Sequence, residues 1–112
     1  HIPSYEEWAI LIDFLGGKEF AGSKMKETTM AHWIYDLNTR SDNSSGFTGL
    51  PGGLRSDNGI FFAKKGSGLY WSSTELDKKF ACLIFLGSYD NDAVEIMSMG
   101  KFEGVSVRCV KD

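Results

Sequence analysis

The reactive side chains of this chain are few, and their spacing limits what they can do. Cys82 lies inside the apolar run Phe80-Ala81-Cys82-Leu83-Ile84-Phe85-Leu86, with no adjacent histidine and no Cys-x-x-Cys partner. It reads as a small packed hydrophobe rather than a nucleophile. His1 and His32 are the only histidines, and no spaced Cys/His cluster accompanies them, which argues against zinc. A hydrolytic triad would need His32 to meet a serine in space. The chain has no Gly-x-Ser-x-Gly elbow, and Ser67 in Lys65-Gly66-Ser67-Gly68-Leu69 reads as loop. Of the acidic pairs, Glu6-Glu7 suits the first turn of a helix, where negative charge complements the dipole. Asp90-Asn91-Asp92 reads as a turn whose oxygens, with loop carbonyls, could hold Ca²⁺, an ion that takes about six to eight of them. Asp42-Asn43 and Asp57-Asn58 are similar oxygen-rich loops, and for all three the alternative is turn chemistry alone. No other cofactor is implied.

The aromatic residues offer a different chemistry, that of binding. Trp71 beside Tyr70, and Tyr89 at the start of the 90–92 turn, could form a platform that stacks on a sugar face or anchors a protein interface. Strand alternation sends one ring of the Tyr70–Trp71 pair into the core, and the balance favours Trp71 there. Even so, Trp71, Tyr89, Asp90, Asn91 and Asp92 are the expected ligand contacts, with the loops at Asp42 to Ser45 and Asp57-Asn58 beside them. Arg55 and Arg108 read as partners of carboxylates or backbone carbonyls.

These residues must be positioned by the elements around them. Ser4 and Glu7 form a capping box, and Trp8, Leu11, Ile12 and Leu15 follow as one apolar stripe. A helix over 5–15 is predicted, stopped by Gly16-Gly17. Residues 18–39 have weak periodicity, and 31–37 fits either a helical turn or an extended segment. The glycine-rich stretch Gly46 to Arg55 forbids a regular helix and reads as an irregular segment anchored by Phe47, Leu50 and Leu54. Short strands are expected over 69–73, 80–86 and 93–99, the last two joined as a hairpin around Asp90-Asn91-Asp92. A final strand over 105–110 alternates Val105, Val107 and Cys109 with Ser106, Arg108 and Val110. One helix, a long irregular middle and an antiparallel meander make an α+β domain.

At 112 residues a single domain is the natural reading. The net charge of −3 comes with no basic run beyond pairs such as Lys64-Lys65 and Lys78-Lys79, so there is no nucleic-acid footprint. No apolar run approaches the roughly 20 residues of a membrane-spanning helix. Two cysteines are too few for a disulfide scaffold and fit either redox compartment. If 93–99 separates their strands, Cys82 and Cys109 stand too far apart to bridge, and the question stays open.

Four stretches resemble one family as a set. They are His1-Ile2-Pro3-Ser4 with Glu7-Trp8, Ser45-Gly46-Phe47 with Leu50-Pro51-Gly52-Gly53-Leu54-Arg55, Tyr70-Trp71-Ser72-Ser73-Thr74, and Gly104-Val105-Ser106-Val107-Arg108-Cys109-Val110-Lys111-Asp112. In this order they resemble the Fibrobacter-type major paralogous domain. That family is similar to the formylglycine-generating enzyme superfamily and, through it, to C-type-lectin-like folds. The resemblance implies a C-type-lectin-like α+β domain of an exported lipoprotein or bacterial cell-surface protein. It also implies a domain that usually begins with an upstream strand, so that residues 1–112 would be its C-terminal two-thirds. Any targeting segment would likewise lie upstream. Formylglycine-generating enzymes rely on paired redox cysteines, but here the Val107-Arg108-Cys109 ending resembles a structural position. The expected function is therefore non-catalytic binding of a glycan or a protein surface, carbohydrate binding included. Two alternatives are an assembly domain of a surface protein or pilus, docking other subunits along an exposed edge near Val105 to Val110, and an oxidase of the formylglycine-generating type.

Overall fold

The computed structural model describes residues 1–29, 31–34, 41–87 and 93–112. Its first element, α1 (Tyr5–Phe14), starts where the capping box requires. The Glu7 N–H donates to Ser4 Oγ at 3.2 Å, and the Ser4 N–H donates to Glu7 Oε2 at 2.8 Å. The end is a Schellman motif, with Gly17 N–H donating to Ile12 O at 2.9 Å and Gly16 N–H to Asp13 O at 3.0 Å. Both glycines sit at positive φ, 107° and 93°, which is why the helix stops there. Lys24 Nζ adds a bond to the Leu15 carbonyl at 2.6 Å. The helix closes at Phe14, with Leu15 as its cap.

A short helix, α2 (Ala21–Met25), follows. Its few residues were not legible as a helix because five positions cannot display a 3.6-residue period. Trp33 is buried in the turn beyond it, and Tyr35 to Leu37 lie outside the described residues. The glycine-rich middle is irregular, as expected, but its anchors differ. Phe47 packs edge-on against Trp8 and Tyr70, with ring centroids 5.8 and 5.3 Å apart. Leu50 is instead 42% exposed, and its backbone is what holds it. The Tyr70 hydroxyl accepts from Leu50 N–H at 2.8 Å and donates to Leu50 O at 2.9 Å. Two short strands close this region, β1 (Leu54–Arg55) and β2 (Phe61–Phe62), paired antiparallel.

The sheet proper comprises β3 (Ser67–Glu75), β4 (Phe80–Gly87) and β5 (Val94–Gly100), antiparallel in that order. Ser67, read from sequence as loop, is the first residue of β3. In register, Tyr70 faces Ile84 and Ile84 faces Ile96, while Trp71 faces Leu83 and Leu83 faces Met97. Alternation therefore separates the two rows onto opposite faces. Tyr70, Ile84, Leu86 and Val94 join Trp8, Ile12, Ala21, Met25 and Trp33 in the core. Between the pairs Trp71↔Leu83 and Glu75↔Ala81 the register shifts. Three residues of β3 there oppose one of β4, which is a bulge.

The expected final strand is corrected. Residues 104–110 form no ladder of their own but only isolated bridges, Arg55↔Gly104 and a parallel Tyr70↔Ser106. Ser106 receives from Trp71 N–H at 3.0 Å and donates to Leu69 O at 3.1 Å. His1 and Val110 exchange backbone bonds of 2.9 and 2.8 Å. The segment thus runs along the free flank of β3, and β3, not the 93–99 strand, separates it from β4. Cys82 is buried, Cys109 is exposed, and both are free.

Candidate functional site

The face of the sheet opposite α1 carries the first candidate. Strand alternation places Trp71 and Glu75 there, and the bulge aims Ser73 beside them. With Ser72, Ala81 and Lys101 they line a cleft of about 260 Å³. Lys101 follows β5 in a turn fixed by its own N–H donating to Lys79 O at 2.8 Å. Its ammonium pairs with Glu75 Oε1 at 2.8 Å and donates to Asp77 O at 2.7 Å. The Asp77 carboxylate turns the other way, accepting from the N–H groups of Lys79 and Phe80 at 2.6 and 2.9 Å. Those backbone donors hold its carboxyl below the ordinary range.

Trp71 is the residue the sequence reading placed least well. Tyr70 is the ring that enters the core, 5% exposed, while Trp71 is half-buried on the other face. The core needed Tyr70 because its hydroxyl is consumed by Leu50, which satisfies the polar end that burial exposes to cost. Desolvation raises the Tyr70 phenol above its ordinary value of 10.0. The Trp71 backbone is clamped, its N–H donating to Ser106 O at 3.0 Å and its carbonyl accepting from Trp8 Nε1 at 3.4 Å. Trp33 likewise donates its indole N–H, to Gly49 O at 3.3 Å. The Trp71 indole N–H has no protein partner among the described residues, and neither does the Ser73 hydroxyl.

A second concavity of about 330 Å³ lies between α1 and residues 108–110, lined mainly by Trp8, Ile10, Leu11, Phe47, Arg108 and Val110. Its polar groups are already engaged. The Arg108 guanidinium stacks 4.9 Å from the Phe47 ring centroid and donates to Phe47 O at 2.6 Å, which matches the backbone role expected for it. Glu7 closes the capping box and also bonds His1 Nε2 at 2.8 Å. The Ser4 N–H and then His1 hold the Glu7 carboxyl down. Bonds to Asp112 and Glu7 push His1 above its ordinary value. Arg55 lies with its guanidinium against Gly59.

The remaining sequence candidates divide cleanly. Tyr89, Asp90, Asn91 and Asp92 lie outside the described residues. Asp42 accepts from Ser44 N–H at 2.8 Å and Asn43 bonds both Thr48 groups at 2.8 Å. Asn58 Oδ1 accepts from Ile60 N–H at 3.0 Å and from Ser56. Both loops thus use their oxygens as turn-formers. Among the described residues no group of three or more His, Cys, Asp or Glu is placed to hold a metal ion. His32 is exposed and pairs with Glu27 at 2.9 Å, apart from any serine in the cleft. Ser73, Glu75 and Lys101 were missed. The alternation Trp71-x-Ser73-x-Glu75 was a usable signal, but the strand was read as ending at Ser73, and Lys101 is brought in by tertiary pairing alone.

The protein is an α+β domain whose three-stranded antiparallel sheet packs one face against α1 and carries a cleft lined by Trp71 and polar side chains on the other. It belongs to the family of the Fibrobacter succinogenes major domain, whose pattern its residues 1–111 match. No curated protein and no solved structure matches it. Among the described residues no helix is long and apolar enough to cross a membrane.

Proposed function

We propose that this domain is a non-catalytic binding module of an exported or cell-surface bacterial protein, on a scaffold related to C-type-lectin-like and formylglycine-generating folds. Its ligand, a glycan or a protein surface, is held at the Trp71 cleft. One observation carries this reading. Trp8 and Trp33 spend their indole donors inside the protein, whereas half-buried Trp71 keeps its donor and part of its ring for a ligand. A clamped backbone beneath it makes the platform rigid, so binding costs little ordering entropy.

Catalysis fits less well. An oxidase would need two cooperating sulfurs, whereas Cys82 is buried in β4, Cys109 is exposed on the segment along the opposite flank of β3, and both are free. The assembly reading keeps one specific support. The backbone N–H groups of Val105, Val107 and Cys109 have no partner among the described residues, and Val107 and Val110 are 49% and 42% exposed. An added strand from another subunit would pair there and would protect the Val107 and Cys109 amides from hydrogen exchange.

The test is an array carrying both glycans and bacterial surface proteins, probed with the wild-type domain and with Trp71→Ala. Signals that vanish in Trp71→Ala are expected. Robust binding that is indifferent to Trp71 would refute the assignment of the site.

A further inference from the structure

Resting on the reading that the Trp71 cleft is the binding surface, we propose that it takes one pyranose ring of a neutral carbohydrate, bound by direct hydrogen bonds and without a bridging metal. The chemistry of the lining selects this ligand. A pyranose has an apolar face of C–H groups and a rim of hydroxyls, each both donor and acceptor. The cleft mirrors that division. The Trp71 ring offers a flat apolar surface with an unspent N–H at its edge. Ser73 supplies a hydroxyl. Glu75 and Lys101, 2.8 Å apart, place a charged acceptor beside a charged donor, so that one hydroxyl can give to the carboxylate and receive from the ammonium.

The same features disfavour other classes. The Glu75–Lys101 pair sums to zero charge, so neither an anion nor a cation gains from entering. A nucleobase could stack on Trp71, but the charge of Lys101 is balanced by Glu75 and, among the described residues, no other cation lines the cleft to offset a phosphate. At about 260 Å³ the cleft falls just under the roughly 300–1,000 Å³ of sites that enclose drug-sized ligands. One ring fits, and a longer chain would run out over the sheet.

The experiment follows the indole N–H cross-peaks in ¹H–¹⁵N spectra of the whole domain. Soluble cello-, xylo-, manno-, malto- and chito-oligosaccharides are titrated, with and without EDTA. We expect a saturable shift of the Trp71 indole signal with at least one series, EDTA-insensitive, with the Trp8 and Trp33 signals nearly unmoved. Glu75→Gln, at an exposed position, should weaken that binding about tenfold or more, since it removes a charged hydrogen bond. Trp71→Phe should keep stacking but lose the donor and weaken binding several-fold, read by calorimetry because that variant has no indole reporter in the cleft. Unmoved Trp8 and Trp33 signals in each variant certify the fold. If no saccharide moves the Trp71 signal, or if the shift disappears with EDTA, the inference is overturned. Trp71-dependent signals confined to the protein spots of the array would overturn the carbohydrate ligand and leave the binding surface intact, whereas no Trp71-dependent spot of any kind would remove both.

Discussion

Tyr70→Phe isolates how the irregular middle of the chain is fastened to the sheet. The substitution keeps the ring, and with it the edge-on contact to Phe47 at 5.3 Å, while deleting the hydroxyl that serves both Leu50 N–H and Leu50 O at 2.8 and 2.9 Å. Each such bond contributes about 1 kcal/mol net, and leaving a buried partner unsatisfied costs more. Leu50 is 42% exposed, so water can recover part of its backbone bonding. We therefore expect a loss of about 2 kcal/mol, a sizeable share of the roughly 5–15 kcal/mol typical of a domain. In urea, with a slope of about 1–3 kcal/mol/M, the unfolding midpoint should drop by roughly 1 M at unchanged slope. The intact phenol should also ionise late. Its folded-state value is raised by burial, so its contribution to stability is present below the ordinary tyrosine value and declines as pH rises toward the raised one. A midpoint shift smaller than about 0.3 M would show that the 46–55 segment is held by something other than Tyr70.

Four further outcomes are expected. Gly53→Ala should cost at least ~3 kcal/mol or melt the β1–β2 pair, because a Cβ there meets Phe62 O at 2.2 Å and φ is +68°. Gly17→Ala, with nothing within 4 Å, should cost only about 1 kcal/mol for its positive φ, and equal losses in urea titrations would refute the clash argument. Ser4→Ala should cost about 1 kcal/mol by removing the helix cap, readable as a lower urea midpoint, and no change would dismiss the cap. The His1–Glu7 contact should contribute to stability only in a window. Glu7 is lowered, so its share is present above about 4.5 and is lost as pH falls through the lowered value. His1 is raised, so its share is full below about 6.5 and is lost as pH rises through the raised value. The difference in urea midpoint between wild type and His1→Gln should peak inside that window, and a difference flat with pH would refute the pairing. Finally, Cys109 should react with a bulky maleimide in the native protein and Cys82 only after unfolding. Equal rapid labelling of both would revive the oxidase alternative.

The parts of the fold that were legible in the sequence are those whose signals are local. Ser4, Glu7, the 8–11–12–15 stripe and Gly16-Gly17 each act within a few residues of themselves, and α1 appears where they place it. The apolar run 80–86 made β4 visible for the same reason, since a strand covered on both faces has nothing polar to interrupt it. The final segment was misassigned because alternation reports a preference for extended backbone and not which flank of the sheet accepts it. Trp71 and Tyr70 were exchanged because either ring suits a core position. The decision came from Leu50, twenty residues upstream, whose backbone N–H and C=O both bond the Tyr70 hydroxyl. Of the cleft, Trp71 was legible as a candidate, while Lys101 and Glu75 meet through tertiary pairing that no spacing records.

The bulge in β3 has a consequence for how this surface can change. Four steps along β3 from Trp71 to Glu75 match two steps along β4 from Leu83 to Ala81, and both counts are even. Deleting two residues there would restore a regular ladder with the carboxylate still facing Lys101's side. Deleting one would leave two residues of β3 opposite one of β4, an ordinary bulge beyond which Glu75 can still pair with Ala81 and face the cleft. Length variation at this point is therefore absorbed locally. Descendants of this sequence can shorten the wall of the cleft by one residue or two without turning its carboxylate away.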